Sequence, residues 1–201
     1  MKYIPPNFTK QFGKLTKIEI ANSGLKDINH LYGLKEIVIT NNNIRIIEVN
    51  SFKGSPNVEV IIITGNNIQK ITNEAFKENK EVMTFDISNN NITNFSTECI
   101  ETLLLSGSTI NISQNNMQNI VWVHTGNVTG QIIAEDNPCI DMKSGKKSED
   151  FVTAVQDGCS EKNELECEFK YIDEGKILLA SKPINLLQPF LILSKFSLLS
   201  F

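Results

Sequence analysis

The chain has 201 residues, 40% of them hydrophobic and 21% charged, with a net charge of −4. That balance can fill a sizeable core, and with no basic stripe it leaves nucleic acid outside the expected partners. Two histidines, no G-x-S-x-G elbow and no phosphate-cradling glycine loop argue against an enzyme. No cofactor and no metal are expected. In chain order, residues 1–14 come first, with Ile4 and Phe8 as their apolar residues and no strand pattern before them.

From there the chain repeats itself. The phrase L-x-x-I-x-I-x-x-N-x-I occurs as Leu34-Ile37-Ile39-Asn42-Ile44, as Val58-Ile61-Ile63-Asn66-Ile68 and as Val82-Phe85-Ile87-Asn90-Ile92. Looser copies flank these: Leu15-Ile18-Ile20-Ser23-Leu25 before, then Gly107-Ile110-Ile112-Asn115-Met117 and Ile132-Ala134-Asn137 after. The copies start near 15, 34, 58, 82, 107 and 129, a spacing of 19 to 25 residues. Self-similarity at such a period is the mark of a solenoid, in which each coil buries its apolar side against its neighbours.

Each copy predicts one short strand. Apolar residues two apart, such as Ile61 and Ile63, share a face and point into the core. As the chain leaves the strand it bends and strands backbone N–H and C=O groups, which a buried asparagine can satisfy because it both donates and accepts. Asn42, Asn66, Asn90, Asn115 and Asn137 form the expected ladder, interrupted at Ser23, whose hydroxyl can do part of the work. Ile44-x-x-Ile47 then Ser51-Phe52, Ile68-x-x-Ile71 then Ala75-Phe76, and Ile92-x-x-Phe95 then Cys99-Ile100 repeat in phase and close the core from behind.

These motifs resemble the leucine-rich repeat family, in its roughly 24-residue type, over about residues 1–140. That type is frequent in animal extracellular proteins and receptor ectodomains. The resemblance implies an α/β solenoid with a curved parallel sheet on its concave face, an irregular or short-helical convex side and a small C-terminal cap. The expected organisation is a repeat array over 1–138, with a half repeat at 1–14, then a cysteine-containing cap at 139–170 and a hydrophobic tail at 171–201.

In such extracellular proteins the last repeat runs into Asn-Pro and a cysteine cluster, which Asp136-Asn137-Pro138-Cys139 matches, with Cys159 and Cys167 downstream. Family caps of this kind carry four cysteines; three lie here, so the resemblance implies one disulfide, Cys139 with Cys159 or Cys167, and an odd thiol. Cys99, in the small convex position of Ser51 and Ala75, is expected to be a buried free thiol. A zinc site is rejected because the three cysteines contain no C-x-x-C pair and neither His30 nor His124 has ligand spacing.

The start shows neither a polar cap nor the charged-then-apolar pattern of a secretory signal, so the chain is expected to be a fragment of a longer protein. The alternative is a cytosolic protein that begins here. The 184–201 stretch is marginal for a membrane span and is broken by Gln188, Pro189 and Lys195; membrane association is expected only through it. Asn7, Asn91, Asn94, Asn111 and Asn127 stand in N-x-S/T sequons and are glycosylation candidates.

Between the inward-facing residues of each strand lie those that face out of the sheet. Most are small or polar; Val38, Val60 and Ile62 make an apolar cluster rimmed by Glu36, Thr84, Asp86 and Lys17. Contiguous exposed apolar surface marks interfaces. The chain is therefore expected to be a non-catalytic, protein-binding scaffold, extracellular or at the cell surface, whose ligand or co-receptor contacts Val38, Val60, Ile62, Glu36, Thr84 and Asp86. The alternative is a cytoplasmic interaction protein with reduced cysteines.

Overall fold

A computed structural model describes residues 2–123, 128–142, 148–159, 169–173 and 176–180. Ten strands fall in the first part of the chain. In order they are β1 (Lys17–Ala21), β2 (Glu36–Thr40), β3 (Ile46–Ile47), β4 (Val60–Ile62) and β5 (Lys70–Ile71). They continue as β6 (Thr84–Asp86), β7 (Asn94–Ser96), β8 (Thr109–Asn111), β9 (Asn119–Val121) and β10 (Gln131–Ile133). One strand per coil, β1, β2, β4, β6, β8 and β10, joins a six-stranded sheet in which every neighbour is parallel. Behind the turn, β3 pairs with β5 and β7 with β9, also in parallel.

The chain divides into two units, Met1–Asn163 and Glu164–Phe201. The first holds the coils and the helix α2 (Ser148–Cys159), which follows the short α1 (Glu101–Leu105) of the convex side. The second, taken by itself, contains an antiparallel hairpin of β11 (Phe169–Asp173) and β12 (Lys176–Ala180).

The period-two pattern is what makes these strands. Ile37, Ile39, Ile61, Ile63, Phe85, Ile87, Ile110 and Ile112 are all fully buried, at 0% exposure. From behind, Phe52 stacks on Phe76 with ring centroids 5.2 Å apart. Phe76 meets Phe85 edge-on at 4.7 Å, joining the back of one coil to the strand of the next. At the start of the array Ile4 is buried and Phe8 packs half-buried against the same core.

The asparagines stitch the coils. Asn66 Nδ2 donates to Ile39 O in the preceding coil and to Thr64 O in its own, both at 3.0 Å, while Oδ1 accepts the N–H of Ile44 at 3.3 Å. Asn42, Asn90, Asn115 and Asn137 repeat the arrangement: each reaches back to Ile20, Ile63, Ile87 or Ile112 and accepts a backbone N–H from the coil before. An amide so employed gives backbone groups of two successive turns their partners.

The residue before each ladder position is left-handed: Asn22, Asn41, Gly65, Asn89, Gln114 and Asp136 have φ between 51° and 62°. Asn, Asp and Gly tolerate that conformation, and Gln114 is the one long side chain forced into it. A second polar series lies at the turn entering each strand. Thr9 Oγ1 accepts the N–H of Tyr32 at 2.8 Å, and Ser55 Oγ accepts that of Leu34 at 3.1 Å. Asn79 donates to Phe52 O and Ser55 O, and Ser108 donates to Val82 O.

Candidate protein-binding face

The register places the outward residues of the main sheet in two straight rows. One runs Lys17, Glu36, Val60, Thr84, Thr109 and Gln131; the other runs Glu19, Val38, Ile62, Asp86, Asn111 and Ile133. Val38 and Ile62 are direct partners across β2 and β4, and Val60 lies two residues along β4 on the same face. The three side chains are therefore contiguous, each half-buried. Glu36 and Thr84 flank Val60 in its row, and Asp86 flanks Ile62 in the other.

The polar rim is ordered by internal contacts. Lys17 Nζ holds Glu36 Oε1 at 2.8 Å. One step toward the strand entry, Lys35 Nζ holds Glu59 Oε1 at 2.6 Å. The hydrogen bond that Lys17 donates to Glu36 raises the lysine pKa above its ordinary value, and the one that Lys35 donates to Glu59 does the same there. Both pairs are solvated, so they orient side chains more than they add stability. Asp86 Oδ1 accepts the N–H of Ser88 at 2.8 Å, while Oδ2 accepts Asn111 Nδ2 at 3.2 Å. Asn111 Oδ1 in turn accepts the N–H of Ser113, so both side chains are pinned to their own strand exits.

Sequence phase alone missed Met83, 60% exposed at the entry to β6 beside Thr84. Its backbone is fixed on both sides, by a bond from Met83 N to Glu59 O and one from Thr109 N to Met83 O. The only signal was that it stands one place before the first outward position of its strand, next to Val60's row.

Of the sequons, Asn7, Asn91 and Asn94 are exposed, and Asn94 Oδ1 accepts Asn119 Nδ2 at 2.9 Å. Asn111 is half-buried on the strand face. Cys99 is free and buried, its thiol donating to Ser96 O at 2.9 Å. Cys139 is buried, and the backbone of Gly158 in α2 approaches it so closely that a Cβ there would lie 2.2 Å from Cys139 O. Asn127, His124, Cys167, the Cys159 side chain and the 184–201 stretch lie outside the described residues. Among the described residues no three His, Cys, Asp or Glu side chains converge as a metal group would require, and no helix is long and apolar enough to cross a membrane.

One parallel strand per coil, an asparagine ladder and a solvated strand face define a repeat solenoid that presents a surface. Residues 56–116 match the family model described as leucine rich repeat, and the same register runs through the coils on both sides; the fold is a leucine-rich repeat solenoid. Among solved structures it is similar to a chain of the Drosophila Toll–Spatzle complex in its glycosylated form, with 14% identity and a TM-score of 0.40. That likeness covers 69% of this chain and 27% of the other. No curated protein matches the sequence.

Proposed function

We propose that the chain is a non-catalytic scaffold, extracellular or part of a receptor ectodomain, that binds a protein partner through the strand face of its main sheet. The observation that carries this reading is the in-register pairing of Val38 with Ile62, with Val60 beside them on the same face, on a sheet whose other outward residues are mostly small or polar. A rigid apolar centre with an ordered polar rim is the anatomy of an interface, because desolvating it costs little and its rim fixes orientation. Most leucine-rich repeat arrays serve as such scaffolds.

The test is direct. A partner captured from secreted proteins on the immobilised chain should bind V60D/I62D at least tenfold more weakly, with the variant's melting curve unchanged. Equal affinity in a folded variant would sink the reading.

The extracellular part rests on the exposed sequons and on a disulfide we place between Cys139 and Cys159. Its support is the contact of Gly158 with Cys139 O, which brings the last turn of α2 against that cysteine. A thiol count in denaturant without reductant should find two free among the four cysteines. Four free thiols would favour the cytoplasmic reading.

A further inference from the structure

Past each ladder asparagine the chain turns out of the main sheet and presents a flank quite different from the strand face. Lys26, Asn43, Arg45 and Asn67 are all exposed there. Three coils are locked together beneath them. Asn43 N donates to Leu25 O at 2.8 Å, Asn67 N to Ile44 O at 3.0 Å and Gln69 N to Arg45 O at 2.8 Å. The four side chains line a recess of about 330 Å³.

Every residue of that lining offers N–H donors, and none is a carboxylate. Lys17, Lys35 and Lys77 each hold a glutamate, whereas among the described residues neither Lys26 nor Arg45 makes an ion pair. Asp27 and Glu48 line an adjoining, smaller recess to which Lys26 and Arg45 also contribute, but they pair with neither cation, and Asp27 is turned onto the N–H of Asn29 at 3.3 Å. Two cations on rigid backbone, supplied by adjacent coils and open to solvent, make a seat for a single anionic group.

The rest of the flank says what that group is attached to. Where the row continues, its outward residues are the neutral amides Asn91 and Asn116, and the chain as a whole is acidic. A polyanion would need the cations to continue beyond Lys26 and Arg45. Amides that both donate and accept match hydroxyl groups. We propose that the recess binds an acidic saccharide, its sulfate or carboxylate held by Lys26 and Arg45 and its hydroxyls by Asn43 and Asn67.

The experiment is a titration of the isotopically labelled full chain, followed by amide NMR at low salt. Glucose 6-sulfate or glucuronate should shift the signals of Asn43, Arg45 and Asn67 saturably and at least tenfold more tightly than glucose or sodium sulfate. K26S/R45S should lose that binding by at least tenfold. N43A/N67A should bring the sugar sulfate down to the level of inorganic sulfate. All four positions are exposed, so both variants should keep the parent melting temperature. The proposal fails if inorganic sulfate binds as tightly as the sugar sulfate, if K26S/R45S binds unchanged, or if an oligoglutamate peptide binds more tightly than either sugar.

Discussion

Asn42 and Ser23 divide between them the closing of the first full turn. Asn42 Oδ1 accepts the N–H of Ser23 at 3.0 Å, and Ser23 Oγ bends back to Ala21 O at 2.9 Å. In the next coil Asn42 Nδ2 makes the equivalent bond to Thr40 O, two residues behind it, and also reaches Ile20 O in the coil before. A hydroxyl can supply the bond within its own coil. It has one proton, so it donates one bond where the amide donates two.

The ladder therefore makes a sharp prediction about stability. Asn66→Ala should cost about 1–3 kcal/mol, since it leaves Ile39 O and Ile44 N buried without their partners. Asn67→Ala, one residue on and exposed, should cost less than about 0.5 kcal/mol. Urea unfolding of both variants checks this. Equal stabilities would show that the buried amide contributes no more than its exposed neighbour.

Gln114 carries strain that its counterparts in other coils avoid. Its φ of 52° is shared by asparagine, aspartate or glycine everywhere else in the series. Gln114→Asn should raise stability by about 0.5 kcal/mol and Gln114→Gly by up to about 1 kcal/mol, the usual scale of left-handed strain less the entropy of a freer unfolded chain. The readout is again the unfolding midpoint. A loss of stability in both variants would mean that the hydrogen bond Gln114 Nε2 donates to Asp136 Oδ2, at 3.5 Å, outweighs the backbone.

Burial pushes the Cys99 thiol up to about 12, with Glu98 adding to the effect. The neutral thiol is thus favoured in the fold. An unfolded chain would ionise near 9.0 while the folded one keeps its proton. The stabilising contribution is present below about pH 9 and is lost as pH rises toward 12. At pH 8.5 iodoacetamide should label Cys99 in the native protein at least tenfold more slowly than in urea, and the fall in stability above pH 9 should be smaller in Cys99→Ala. Rapid native labelling would place the thiol at the surface.

Much of this molecule can be read along the chain. The phase of Ile37, Ile61 and Phe85 gave one inward-facing strand per coil, because a two-residue alternation is a purely local property of extended backbone. The stabilising series at Thr9, Ser55, Asn79 and Ser108 went unread. Its residue types vary and each binds a coil distant in sequence, so no fixed letter marks the position. Met83 escaped because it stands one place before the strand, outside the period-two outward positions.

By itself the sequence determined the period, the direction in which each apolar side chain points and the places where the backbone must turn. Its asparagines also announced that the turns would stack. Only the tertiary structure decided which outward residues become neighbours. Residues some 24 positions apart meet at strand-to-strand distance, so Val38 lies opposite Ile62 and Lys26 comes to share a recess with Arg45. Those adjacencies follow from the register between coils, which the inter-coil hydrogen bonds set and no single repeat contains.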